Sequence, residues 1–240
     1  MPVLEVQGLC KTYPKFRLEN VNFTLEQGRI MGLIGRNGAG KTTTLKSLLN
    51  LVHPDCGTRT FFGLDLESHE QEIKCRIGYA GGAVDYYRRK KIRLLSDVTK
   101  QFYPNWDETA YRKYLDVFNL DEDKTPSELS EGMRVKLNLT LALSHHAELL
   151  ILDEPTSGLD PVSRAELLDV FSILRDQGTA ILFSTHITTD LEACADDVTY
   201  LAAGKMIASE PMDAFLKRGA SLQDIMVRYE KEDLREKLAE

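Results

Sequence analysis

The stretch Gly35-Arg36-Asn37-Gly38-Ala39-Gly40-Lys41-Thr42 constrains the fold more tightly than any other, because it fits the pattern G-x-x-x-x-G-K-[ST] without exception. The run Ile30–Ile34 before it reads as a buried strand, and Thr43–Leu49 after it as a helix with apolar residues on one side. That strand–loop–helix setting is the one the pattern requires. Glycines let the backbone curl until successive N–H groups face one anion, and the helix N-terminus adds the positive end of its dipole. Residues 35–43 then form a phosphate cradle in which Lys41 can reach the β- and γ-phosphates and the Thr42 hydroxyl can ligate Mg²⁺. A chance glycine turn ending in Lys-Thr would lack both flanks. The loop implies that a nucleoside triphosphate binds.

At 240 residues the chain is long enough to bury a substantial core. No uninterrupted apolar run approaches the length needed to cross a bilayer. Met1–Glu5 lacks the basic-then-apolar layout of a signal peptide. Cys10, Cys56, Cys75 and Cys194 show no C-x-x-C pairing and read as free thiols of a reducing cytosol. A net charge of −7 argues against nucleic acid as the main partner. If a membrane is involved, a partner chain provides the contact.

Along the chain, Leu4–Val6 and Leu18–Leu25 alternate apolar and polar residues as short strands do. A further short β pair is expected around Gly57–Phe62, followed by Ile77–Tyr79. From Asp85 to His146 the pattern turns helical, for example over Glu108–Phe118 and Glu131–Ser144. Apolar runs then alternate with a helix: Leu149–Leu152, Ser163–Arg175, Ala180–Phe183. That alternation implies parallel strands joined by crossover helices, hence an α/β core with a β-rich N-terminal edge and a helical insertion.

Leu149–Leu152 ends in Asp153-Glu154. Acids at the end of a buried strand emerge at its C-terminal edge, where ligands sit in open α/β sheets. Asp153 is suited to hold Mg²⁺, directly or through water. Glu154 is suited to orient and polarise an attacking water. Any strand can end in acids, so the pair gains its meaning from the phosphate loop. Upstream, Ser130 of Leu129-Ser130-Glu131-Gly132-Met133 is a helix N-cap by its residue type.

With Asp153-Glu154-Pro155, Ser157-Gly158-Leu159-Asp160 and Ser184-Thr185-His186 following in this order, the chain resembles the ATP-binding-cassette (ABC) ATPases over roughly residues 3–215. The resemblance implies an α/β P-loop NTPase core with an antiparallel β subdomain and a helical insertion. Residues 1–84 and 147–215 would form the core and β subdomain, 85–146 the helical subdomain, and 216–240 a helical tail. It implies that Leu129–Met133 is the signature motif, with Ser130 and Gly132 touching the γ-phosphate of ATP held by the opposite subunit. Asp160 would lie on a loop crossing the dimer interface. His186 would contact the γ-phosphate and the attacking water, and Tyr13 would be the platform on which adenine stacks. The implied catalytic set is Glu154, His186 and Lys41, with Mg²⁺ on Thr42 and Asp153. The implied partners are ATP, a second ABC ATPase subunit (a homo- or heterodimer) and a membrane-spanning permease. The chain would then be cytoplasmic, peripheral on the inner face of the cell membrane.

Two motifs depart from the family pattern. Gly82 stands where a glutamine that contacts Mg²⁺ is usual, leaving that role to a water or to Asp85. Glu131 and Met133 replace the common Gly and Gln of the signature. A carboxylate aimed at a phosphate is repelled, so Glu131 is expected to point away from the nucleotide. The remaining motif residues imply an active ATPase. Other features carry less. Arg88–Lys91 with Arg93 fits a solvated face or contact with a partner or anionic lipid. His145-His146 cannot share a helix face and so suits no metal pair. The cluster Phe102–Trp106 resembles segments of ABC-2-type exporter ATPases, and Tyr229–Glu240 reads as an exposed helix. Export by a transporter subunit is the preferred reading, and a soluble ABC ATPase of the iron–sulfur assembly type is the alternative.

Overall fold

The structure, a computed structural model, describes residues 2–81 and 88–239. The N-terminal third is a hairpin and its additions: β1 (Pro2–Tyr13) and β2 (Phe16–Glu26), then β3 (Ile30–Ile34), α1 (Lys41–Leu48), β4 (Cys56–Phe61), β5 (Leu64–Asp65), α2 (Glu70–Cys75) and β6 (Ile77–Gly81). Helices follow: α3 (Ile92–Thr99), α4 (Glu108–Val117), a 3-10 turn at Pro126–Glu128 and α5 (Glu131–Leu143). The chain then returns to the sheet through β7 (Leu149–Asp153), α6 (Pro161–Asp176), β8 (Ala180–Thr185), α7 (Thr188–Cys194), β9 (Asp197–Ala202) and β10 (Lys205–Pro211). Helices α8 (Met212–Leu216) and α9 (Leu222–Ala239) close it.

The strands join in the order β5-β4-β1-β2-β10-β9-β3-β8-β7-β6. Strands β9, β3, β8, β7 and β6 pair parallel with one another in that order; β9 pairs antiparallel with β10, β10 pairs parallel with β2, and β2, β1, β4 and β5 pair antiparallel with one another. Ile77–Tyr79 does not pair with the Gly57–Phe62 run. It forms the parallel edge beside β7, while β4 pairs with β1 and β5.

Strands β3 and β8 are buried at every residue, which is what strands covered on both faces require. Side chains of successive residues leave opposite faces, and the two cores divide accordingly. Leu149, Ile151 and Leu182 enter one core with Leu45 and Leu48 of α1 and the β1–β2 hairpin. Leu150, Leu152, Ile181 and Phe183 enter the other, with Leu167 and Phe171 of α6 and Leu137 of α5. Phe171 and Phe183 rings meet at 5.6 Å between centroids. The sheet is therefore clamped from both sides, and the C-terminal ends of β3, β7 and β8 open at one edge. Among the described residues no helix is long and apolar enough to cross a membrane.

Candidate functional site

The site grows from that edge. After β3 the chain turns through Gly35–Gly40, where the Ala39 N–H donates to the Arg36 carbonyl at 3.0 Å. Gly35 has no room for a side chain, since a Cβ there would lie 2.3 Å from the Leu201 carbonyl oxygen. Gly40 begins α1 at φ 113°, a left-handed value that costs glycine little. No side chain caps that helix, so its first-turn N–H groups and dipole face the loop cavity.

Lys41 is buried. Its Nζ donates to the Gly35 carbonyl at 2.8 Å and pairs with Glu154 Oε1 at 3.1 Å. On its other oxygen Glu154 meets His186 Nδ1 at 2.8 Å. Glu154 thus lies between a cation and an imidazole. Beside it, Asp153 Oδ1 accepts from the Ser184 hydroxyl at 2.6 Å and from the Thr42 hydroxyl at 3.3 Å. The Ser184 oxygen in turn accepts from the Glu154 N–H at 3.0 Å. Thr42 and Asp153 present hard oxygen donors from two different elements. That donor chemistry fits Mg²⁺ shared with phosphate oxygens.

Around these groups lies a cavity of ≈ 620 Å³ whose walls include Arg36, Asn37, Gly38, Lys41, Thr42 and Thr43, with Glu154, Ser157 and His186. Lys15 and Phe16 also line it, and neither was singled out by sequence. Their only signal is a place in the turn next to Tyr13. Tyr13 itself is 38% exposed, outside the cavity wall, with its ring 6.4 Å from that of Phe16.

The remaining expected residues are not brought into this cavity. Ser130 caps α5, accepting from the Met133 N–H at 3.3 Å, and is exposed. Gly132 packs toward Leu159 and Ser163. The Glu131 carboxylate lies against Gly158, where a Cβ would stand 2.6 Å from Oε2. It does not line the phosphate cavity. Asp160 caps α6, and the Ser163 hydroxyl at 2.6 Å together with the Ser163 and Val162 N–H groups holds its carboxyl below the usual range. The expectations for Gly82 and Asp85 lie outside the described residues. Lys91 and Arg93 of the basic run both pair with Asp123. His145 is buried and stacked on Tyr103, whereas His146 faces Asp107 at 3.3 Å. Among the described residues no group of three or more His, Cys, Asp or Glu could hold a metal.

A second, more apolar cavity of ≈ 600 Å³ adjoins the first and shares Glu154 and Ser157 with it. Its far wall is α3, the turn after it and α5, including Val98, Phe102, Val135 and Leu141. Phe102 is 72% exposed.

Comparison with known proteins places this arrangement. A sequence model of the family described as ABC transporter matches residues 18–157. The chain is 32% identical over 220 residues to the bacitracin transport ATP-binding protein BcrA of Bacillus licheniformis, covering 90% of this chain and 72% of the relative. It is 33% identical over 212 residues to the daunorubicin/doxorubicin resistance ATP-binding protein DrrA of Streptomyces peucetius, covering 85% and 64%. The chain thus spans about two thirds of the length of these relatives. A solved structure described as the ATP binding subunit of an ABC transporter superposes with a TM-score of 0.84 at 29% identity, over 94% of this chain and 98% of that one.

Proposed function

Because this chain belongs to the ABC transporter family, as one of its ATP-hydrolysing ATP-binding subunits, we propose that it works as a head-to-tail dimer which closes around two MgATP and drives a separate membrane permease, in the direction of export. The observation that carries the mechanism is the placement of Glu154 between Lys41 and His186. An entering triphosphate brings anionic oxygens that compete with Glu154 for the Lys41 ammonium. Once Lys41 turns to the phosphate, the Glu154 carboxylate is released to accept a proton from water. That water attacks the γ-phosphorus, the bond to the β-phosphate oxygen breaks, and ADP and phosphate result. His186 then holds the carboxylate and the γ-phosphate in register. Thr42 and Asp153 would hold Mg²⁺, which when bound neutralises charge on the β- and γ-oxygens.

The position of the signature residues supports the dimer. Ser130 and Gly132 do not line the cavity of their own chain, and the N-terminus of α5 is exposed. A helix N-terminus capped by serine suits an anion offered by another molecule. Loss of the γ-phosphate removes the bridge and reopens the pair. The second cavity suits the permease, because an apolar wall on α3 and α5 shares Glu154 and Ser157 with the nucleotide cavity. A segment seated there senses the catalytic edge directly. The direction of transport is supported by the drug-resistance name of one relative and the Nod factor export name of another, from Burkholderia lata. The relatives named here are transport, resistance and export proteins, which favours this reading over the iron–sulfur assembly alternative.

The test uses Glu154→Gln, which keeps the shape and removes the base. In excess MgATP the variant is expected to elute as a nucleotide-loaded dimer by light scattering, with phosphate release at least ~10²-fold below wild type. A monomer at saturating MgATP contradicts the mechanism.

A further inference from the structure

Strands β1 and β4 run antiparallel, and Cys10 stands directly opposite Cys56. Opposed residues project from the same face of a sheet, with Cα atoms about 4.5–5.5 Å apart. A disulfide spans roughly 4.4–6.8 Å between Cα atoms, so the register alone permits one. The local backbone brings the thiols together further. The register shifts between Gln7 and Cys10, and Gly8 takes φ +61° while Gly57 takes φ +97°. A Cβ on Gly57 would lie 2.6 Å from the Gly8 carbonyl, so β4 approaches β1 this closely only because Gly57 lacks a side chain. The irregularity leaves the Gly8 carbonyl facing both sulfurs: Cys10 Sγ donates to it at 3.2 Å and Cys56 Sγ at 3.5 Å. The Cys56 thiol is pushed up, first by its hydrogen bond with Cys10. Cys56 is exposed and Cys10 half-buried.

We propose that Cys10 and Cys56 are a cross-strand dithiol that closes to a disulfide on reaction with a low-molecular-weight disulfide. The exposed Cys56, as thiolate, attacks one sulfur of the small disulfide, forming a mixed disulfide and expelling one small thiolate. Cys10, as thiolate, then attacks the Cys56 sulfur, forming the intrachain bond and expelling the second thiolate. The protein loses two protons and two electrons, and the small disulfide is reduced to two thiols. The bond would fix the end of the hairpin that carries Tyr13 and Phe16. Asp55, next to Cys56, already grips Lys11 Nζ at 2.9 Å and the Thr12 N–H at 2.7 Å. Its own N–H donates to the Cys10 carbonyl at 2.8 Å. Cys194, by contrast, is buried and its thiol pushed up to about 12, so it stays a thiol.

Oxidised glutathione is the probe. The reduced full chain is incubated with an excess of it, then read by intact mass, thiol titration and non-reducing peptide mapping. Wild type is expected to lose two hydrogens, to fall from four titratable thiols to two, and to yield one peptide pair joining Cys10 to Cys56. Cys10→Ser removes the resolving thiol and is expected to stop at a glutathione adduct on Cys56 that lasts at least ~10-fold longer than on wild type. Cys75→Ser is expected to close as wild type does. A persistent adduct on wild type, a bridge to Cys75 or Cys194, a bridge between two chains, or four unreacted thiols overturns the proposal.

Discussion

Glu154 sits at φ 52°, in the left-handed region that a glutamate rarely adopts. Holding it there costs on the order of 1–3 kcal/mol. Two hydrogen bonds from its N–H offset that cost, to the Ser184 carbonyl at 3.1 Å and to the Ser184 hydroxyl at 3.0 Å. The same hydroxyl steadies Asp153, so one serine positions both acids. Ser184→Ala is expected to slow ATP hydrolysis about tenfold, equivalent to ~1.4 kcal/mol, and to raise the Mg²⁺ concentration needed. Ser184→Thr, which keeps the hydroxyl, is expected to retain most activity. Phosphate release across a Mg²⁺ titration reads both. Ser184 was quoted in a motif but not marked as a site residue by sequence. Its role depends on Asp153 and Ser184 being register partners in β7 and β8, and strand adjacency is not written in residue spacing. Lys41, Thr42, Asp153 and Glu154 were legible because phosphate and metal chemistry demand those side chains at those spacings.

A second residue makes a pH prediction away from the site. Burial pushes His145 from 6.5 down to about 4, with its ring 3.8 Å from that of Tyr103. A histidine held neutral in the fold stabilises it above the unfolded value. That contribution is lost as pH falls from 6.5 through about 4. Over that window wild type is expected to lose up to about 3 kcal/mol more stability than His145→Phe. Denaturant unfolding at both pH values measures it, and equal losses contradict the assignment.

At the scale of elements, the helix ends do more than end helices. Ser130 caps α5 and leaves that helix terminus exposed, so stability and assembly can be separated there. Ser130→Ala is expected to cost about 1 kcal/mol in stability, as cap losses do. Its effect on MgATP-driven dimerisation is expected to be at least tenfold, because in the proposed dimer the lost hydroxyl would face the partner's phosphate. Parallel denaturation and light scattering distinguish the two effects, and an unchanged dimer would confine Ser130 to capping. The buried runs β3, β7 and β8 were readable as unbroken apolar stretches. β1 and β2 were read as fragments because their pairing carries register shifts, at Pro2/Leu4, Val6/Leu9 and Leu9/Lys11. Each shift breaks the alternation on which a strand is recognised.

For the whole molecule, sheet order assembles the site. Strand β3 lies next to β8, and β8 next to β7, so the phosphate loop, the His186 turn and the Asp153-Glu154 pair open on one edge although they are distant in sequence. Motif order made the family legible, but the route of Ile77–Tyr79 to the far edge was hidden, since a short apolar run carries no sign of which strand it joins. The central claim is that one triphosphate is gripped by two copies of the chain. A crystal structure of Glu154→Gln with ATP and Mg²⁺ tests it most directly. The account predicts the γ-phosphate bound by Lys41 of one copy and by Ser130 and the Gly132 N–H of the other. A triphosphate held by one chain alone, with Ser130 of every neighbouring copy turned to solvent, would contradict it.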